Sequence, residues 1–305
     1  MTRQNDVSAE MTRAEATLRS LVGEELSTIT IFSEAPDEAV FLGQNISKLS
    51  PIIGNLIERR IIHLLTDENA DHGLRWQRQD PNFPDALLVD AAGRSTDSGF
   101  EVKAWYVLST ELTGRFKESV NLLAGKDIRV VVVAWMMSHV IYGRPQIVDV
   151  LVVDALGVAS ARDAHYHKPP DYLCEEPKDT TSRTANLQQT NVNGYKLQSE
   201  SERDALLQLA VASGSLARES HLPESQTLVR QLMASAEYRL DTNFAKIDRI
   251  DHPEIESFKS AVLDALHRGR SNRDWQKLLR DLANDGKKLN QARAAAVIKQ
   301  IYDES

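Results

Sequence analysis

The chain has 305 residues, 42% hydrophobic and 26% charged, the composition of an ordinary globular protein with room for one large domain or two modest ones. Its single cysteine, Cys174, excludes an internal disulfide, and a core of this size needs neither a disulfide nor a structural metal. The net charge of −8 counts against general nucleic-acid binding, because phosphate contacts need Lys and Arg, but it leaves room for a local basic cleft.

The opening residues, MTRQNDVSAEMTRAEATL, lack the apolar stretch of an export leader. The longest apolar run, near 130–137, is too short to cross a bilayer. A cytoplasmic protein with no membrane partner is the expectation. Neither repeats nor low-complexity tracts interrupt the chain. A helix is predicted over 9–22, where Leu18, Leu21 and Val22 fall near one face and Gly23 stops it. A second helix covers 46–65: Leu49, Ile53, Leu56, Ile57, Ile61 and Leu64 recur at amphipathic spacing. Short strand-like segments follow at 74–77, 86–89 and 99–105, separated by Pro, Gly, Asp and Ser. Next come a helix over 110–123, a strand over 128–136 and another over 146–153. The 128–136 run is apolar on both faces, as a covered central strand requires. Residues 169–196 are polar and poor in regular pattern. Beyond 199 the reading is almost wholly helical, at 202–212, 225–238, 254–267, 273–283 and 290–302, with Ser271 and Asn290 as N-caps.

The stretch that carries chemistry is DPNFPDALLVDAAGRSTDSGFEVKAW, residues 80–105. Pro84-Asp85 precedes one predicted strand, and Glu101-Val102-Lys103 lies within the next. The two segments are joined by a loop of Gly, Ser, Thr and Asp over 91–98. Glu101 and Lys103 are two apart, so in a strand they share a face while Val102 points into the core. Two carboxylates from neighbouring strands can converge on one hard cation. Mg²⁺ suits such a pair because it takes few protein ligands and keeps several waters. A lysine beside them can hold an attacking water or stabilise the charge that develops as a phosphodiester is cut.

Pro84-Asp85 followed by Glu101-Val102-Lys103 resembles the motif of the PD-(D/E)XK nuclease superfamily. The predicted order of helix, three strands, helix and strand over roughly 46–154 follows that superfamily's core. The resemblance implies that Asp85 and Glu101 bind Mg²⁺ and that Lys103 serves the nucleophilic water. Glu58, on the preceding helix in GNLIERR, becomes a third candidate acid, with a pairing to His63 or an arginine as the plain alternative. Glu111 and Glu118 are weaker candidates on the helix expected over 110–123.

A polar segment downstream, RTANLQQTNVNGYK, resembles stretches of type II restriction endonucleases. Asn and Gln match adenine edges and Arg and Lys match guanine, so Arg183, Asn186, Gln188, Gln189, Asn191, Asn193 and Lys196 are candidate DNA contacts. Arg162, His165, His167 and Lys168 are possible phosphate contacts, and Arg268, Arg270 and Arg273 form a basic cluster near a helix start.

The expected fold is therefore α/β, a restriction-endonuclease-like core with a central mixed sheet flanked by helices. Three parts are expected: a helical N-terminal segment over 1–45, a catalytic core with its DNA-reading loop over 46–198, and a helical region over 199–305 for dimerisation or DNA contacts. The implied function is Mg²⁺-dependent cleavage of double-stranded DNA at a short palindromic site by a homodimer, with a companion DNA methyltransferase in the host. The rival expectations are a structure-specific nuclease of the same superfamily, a non-catalytic DNA-binding protein on a degenerate core, and a helical interaction protein.

Overall fold

The computed structural model describes residues 2–32, 35–67, 73–79, 82–164, 172–176, 194–198, 222–283 and 288–303. Contacts divide the chain into two compact units. The first takes Met1–Leu112, Ile128–Val153 and Glu254–Ser305; the second takes Thr113–Asp127 and Asp154–Pro253. The expected boundaries at 45/46 and 198/199 each fall inside a unit. The chain leaves the first unit twice and returns, so that unit draws its core from both ends of the sequence.

In chain order the elements begin with α1 (Thr2–Arg19), α2 (Pro36–Asn45), a 3₁₀ turn (Ile46–Leu49) and α3 (Ser50–Asp67). The strands β1 (Leu74–Arg78), β2 (Ala86–Asp90) and β3 (Ser95–Tyr106) follow, then the one-turn α4 (Val120–Leu123). After these come β4 (Asp127–Met137), β5 (Pro145–Asp154), α5 (Ala155–Ala164), β6 (Tyr172–Glu176), β7 (Gly194–Gln198), α6 (Pro223–Ser235) and β8 (Tyr238–Leu240). The chain closes with α7 (Pro253–Asp264), the two-residue strands β9 (Leu266–His267) and β10 (Arg270–Ser271), α8 (Asn272–Leu282) and α9 (Lys288–Asp303).

The first unit is built on a five-stranded mixed sheet in the order β1-β2-β3-β4-β5, flanked by helices. β1, β2 and β3 form an antiparallel meander. Val130 to Met137 are buried without exception, the two-sided burial that the apolar run predicts. α3 lays Ile53, Ile57 and Ile61 into the core, the stripe foreseen from their spacing. α1 is tied down by polar contacts as well as apolar ones. Trp76 Nε1 donates to the buried Glu10 at 2.8 Å, and Arg129 bonds Glu15 at 2.6 Å. The C-terminal helices belong to this same core. Trp105 meets Phe258 of α7, and Gln276 of α8 donates to the carbonyls of Val107 and Ser109. Ser271 caps α8 by accepting from the Asp274 amide at 3.1 Å.

The second unit holds the sheet β6-β7-β8, parallel between the first pair and antiparallel between the second. Tyr195, Leu197, Val229, Leu232, Tyr238 and Leu240 form its apolar cluster. The stretch 169–196, expected to be irregular, contains the strand Tyr172–Glu176 and the start of the strand Gly194–Gln198. The helix expected over 110–123 shrinks to Val120–Leu123. Its first half runs extended instead, because its backbone groups are taken by a neighbouring segment. Phe116 N donates to the Ala245 carbonyl, and the Gly114 and Lys117 carbonyls accept from Ile247 and Leu240. Glu118, a candidate acid on that helix, sits by Arg239 at 3.6 Å. The nearly all-helical reading beyond 199 also gives way, to β8, two 3₁₀ turns and the β9–β10 pair. Asn290 lies within the first turn of α9 and is not its cap. The helix expected over 202–212 falls outside the described residues. Among the described residues, no helix is long and apolar enough to cross a membrane.

Candidate active site

β2 and β3 pair with Ala86 opposite Phe100, so the antiparallel register brings Asp85, the residue before β2, level with Glu101. Gly99 makes this close approach feasible. A Cβ at that position would come within 2.5 Å of the Ala86 carbonyl oxygen and 2.7 Å of Pro84 Cγ. Alternation along β3 buries Phe100 and Val102 and leaves Glu101 and Lys103 together on the other, partly open face. Lys103 Nζ donates to Glu101 Oε1. Asp85 is held from the backbone: its Oδ2 accepts from the amide of Val102 at 2.7 Å, the residue between the other two.

Glu58 reaches the same place from α3. The helix runs close to β3 at Gly54, where an added Cβ would rest 3.5 Å from Ala104 Cβ, and Glu58 follows one turn later. Arg78 of β1 donates to Glu58 Oε1 through Nε at 3.2 Å and Nη2 at 3.0 Å. Thus Glu58 both pairs with an arginine and bears on the site. Arg78 went unnoticed in the sequence; its signal was the hairpin register, which puts it opposite Ala86, next to Asp85.

The electrostatics follow from this crowding. Burial is the main reason the Asp85 carboxyl is pushed up from 3.8 to about 7, and the negative charge of Glu101 adds to it. Lys103 and the Val102 amide pull the other way, and Glu58 pushes weakly upward. Oxygen donors forced together in a half-dry place suit a hard cation, which would relieve their repulsion. Among the described residues, no group of three or more His, Cys, Asp or Glu side chains is arranged to hold a metal ion. Asp85 and Glu101 set two carboxylates level with each other on neighbouring strands, an oxygen-donor pair of the kind that a cation keeping most of its waters can use.

The other predicted contacts do not gather here. Arg183, Asn186, Gln188, Gln189, Asn191 and Asn193 lie outside the described residues, as do His165, His167 and Lys168. Lys196 is on β7 of the second unit, buried, with Nζ 3.3 Å from Asp241, whose other oxygen meets Lys117 at 3.1 Å. It is committed to a buried ion pair instead of pointing outward to a base. Arg162 is likewise buried, bonded to the Phe116 carbonyl at 2.9 Å and to Asp163 at 2.7 Å, so it is no phosphate contact. In the C-terminal basic cluster, Arg273 pairs with Asp264 at 2.9 Å and Arg270 lies over the Trp275 ring at 5.5 Å.

No family model, curated protein or solved structure matches the chain.

Proposed function

We propose that this protein is a Mg²⁺-dependent endonuclease of double-stranded DNA on a PD-(D/E)XK core, and that it acts as a type II enzyme at a short palindromic site. The observation that carries the reading is the register that sets Asp85 level with Glu101, with Lys103 on the same strand face and touching Glu101. The succession of α3, an antiparallel β1–β3 meander and a central apolar β4 supports it as well.

Asp85 and Glu101 would hold the cation. Bound there, Mg²⁺ would supply a Lewis acid for a phosphate oxygen and ease deprotonation of a water. Lys103, bonded to Glu101 on the same strand face, would hold the attacking water or steady the charge developing on phosphorus. The Val102 amide fixes the Asp85 carboxylate, so the pair is oriented before substrate arrives. Arg78 orients Glu58 at the edge of the site. In-line attack forms the bond from water oxygen to phosphorus as the bond to O3′ breaks. A 5′-phosphate and, after proton uptake, a 3′-hydroxyl result.

The Asn- and Gln-rich segment over 183–193 would read base edges. A two-fold dimer would set one such site on each strand of a palindrome. The host of such an enzyme would need a DNA methyltransferase to protect its own sites.

The test is incubation of unmodified phage DNA with the purified protein, in Mg²⁺ and in EDTA, beside a Lys103→Ala variant. Discrete fragments that depend on Mg²⁺ and vanish with the variant are expected. Intact DNA from several unmodified sources would overturn the restriction-enzyme reading.

A further inference from the structure

The first unit contains a second concavity, built by residues that Asp85, Glu101 and Lys103 do not use. It is a cavity of about 620 Å³, open on one side, formed by the β4–β5 turn, the segment 25–32 and the end of α9. That volume is in the range of roughly 300–1,000 Å³ typical of small-molecule sites. Four rings line it: Phe32, His139, Tyr142 and Tyr302. His139 and Tyr142 stack with centroids 5.1 Å apart and planes 15° from parallel, and Tyr302 stands tilted 6.3 Å from Tyr142. Phe32 is 78% exposed at the rim.

The walls are pinned by backbone bonds. Ile31 and Gly143 exchange both amide–carbonyl bonds at 2.8 Å, Leu26 N donates to the Pro145 carbonyl, and the Tyr142 hydroxyl donates to the Ile301 carbonyl at 3.2 Å. The cavity is thus preformed and does not depend on a ligand for its shape. Its polar lining includes Glu25, Thr30, Ser138, His139 and Arg144. Arg144 is exposed, and among the described residues its side chain bonds Thr30 Oγ1 from Nε at 3.4 Å. Glu25 lines the same space, and among the described residues neither it nor Arg144 forms an ion pair. Burial and the Arg268 charge lower the His139 pKa, and the Glu25 charge opposes them.

A ligand that satisfies this lining has a flat aromatic ring, an anionic group for Arg144 and a hydrogen-bond donor for Glu25. We propose that this cavity is a nucleotide-binding site, with the base against the Tyr142 and Tyr302 rings, the phosphate on Arg144, and an amino or sugar hydroxyl group on Glu25. Aromatic rings bind any base through its π face, and Arg binds phosphate through a fork of donors. The nucleotide can be free or one unit of a strand turned out of its stack. The inference does not rest on the proposed nuclease chemistry.

Two titrations test it, each on the wild-type chain and on Arg144→Gln and Phe32→Ala, both exposed substitutions, with thermal melts to confirm folding. One arm uses calorimetry with the common 5′-mononucleotides and inorganic phosphate. The other follows 2-aminopurine fluorescence in a single-stranded oligonucleotide. Saturable binding of a mononucleotide, weakened about tenfold or more by Arg144→Gln through loss of a charge-assisted bond, supports a free ligand. Binding confined to the oligonucleotide, weakened by both variants, supports a strand unit. No saturable binding in either arm, or binding that both variants leave unchanged, overturns the proposal.

Discussion

Replacing Asp85 by Asn should make the folded protein more stable while it destroys activity. Each pH unit that a pKa rises on folding corresponds to about 1.4 kcal/mol against the charged form. Moving Asp85 from 3.8 to about 7 therefore bounds the penalty for keeping it ionised at about 4 kcal/mol. The sign follows from linkage: a carboxyl whose folded pKa is raised subtracts nothing below its unfolded pKa, and its penalty grows through that window and is complete above about 7. Asparagine keeps an oxygen to accept from the Val102 amide, and it removes the charge that faces Glu101. Relaxation around a charged pair takes up part of the penalty, so a gain of about 2 kcal/mol is expected, roughly 4–8 °C in melting temperature for a unit of this size. Thermal melts in EDTA at pH 8 and pH 4 give the measurement. Asp85→Asn should melt higher at pH 8, with the gap closing toward pH 4, and added Mg²⁺ should raise only the wild type. A variant that melts lower at pH 8, or a gap that does not change with pH, would refute this account of the site's electrostatics.

Gly99→Ala forces a Cβ toward the Ala86 carbonyl and should destabilise the fold by about 1–3 kcal/mol, seen as an earlier urea midpoint, with cleavage lost in step. Ser271→Ala removes the cap of α8 and should cost about 1 kcal/mol by the same assay, with the rate of cleavage by the folded protein unchanged. Lys103→Ala should lower the single-turnover cleavage rate by about 10²–10³, and at pH 8 it should also lower the melting temperature, because Glu101 and Asp85 lose the cation that offsets their repulsion. Arg78→Gln frees Glu58 and should change the rate several-fold at most, because Arg78 positions an acid at the edge of the site without touching Asp85 or Glu101 in the structure.

The parts of the fold that could be read from the sequence are those where one local signal dominates. The Ile53, Ile57 and Ile61 stripe, the apolar run from Val130 to Met137 and the alternation around Val102 each encode a period, and each lies where its period puts it. The 110–123 segment was misread because its helical pattern competes with partners far away in sequence. Gly114, Phe116 and Lys117 spend their backbone hydrogen bonds on residues 240–247. For the same reason Lys196 and Arg162 looked like DNA contacts: nothing local announces Asp241 or Asp163 beside them. The Asp85–Glu101–Lys103 grouping was legible because a short hairpin brings it together, and its register follows from spacing. The aromatic cavity was invisible, since Phe32, Tyr142 and Tyr302 come from three distant segments that no spacing rule connects.

The most direct test of the central claim is a Mn²⁺ titration followed by electron paramagnetic resonance, on the wild type and on Glu101→Gln. Shared ligation by Asp85 and Glu101 predicts a saturable site in the wild type, weakened at least about tenfold in the variant. Equal Mn²⁺ affinity in the two proteins, or no saturable site in the wild type, would contradict it.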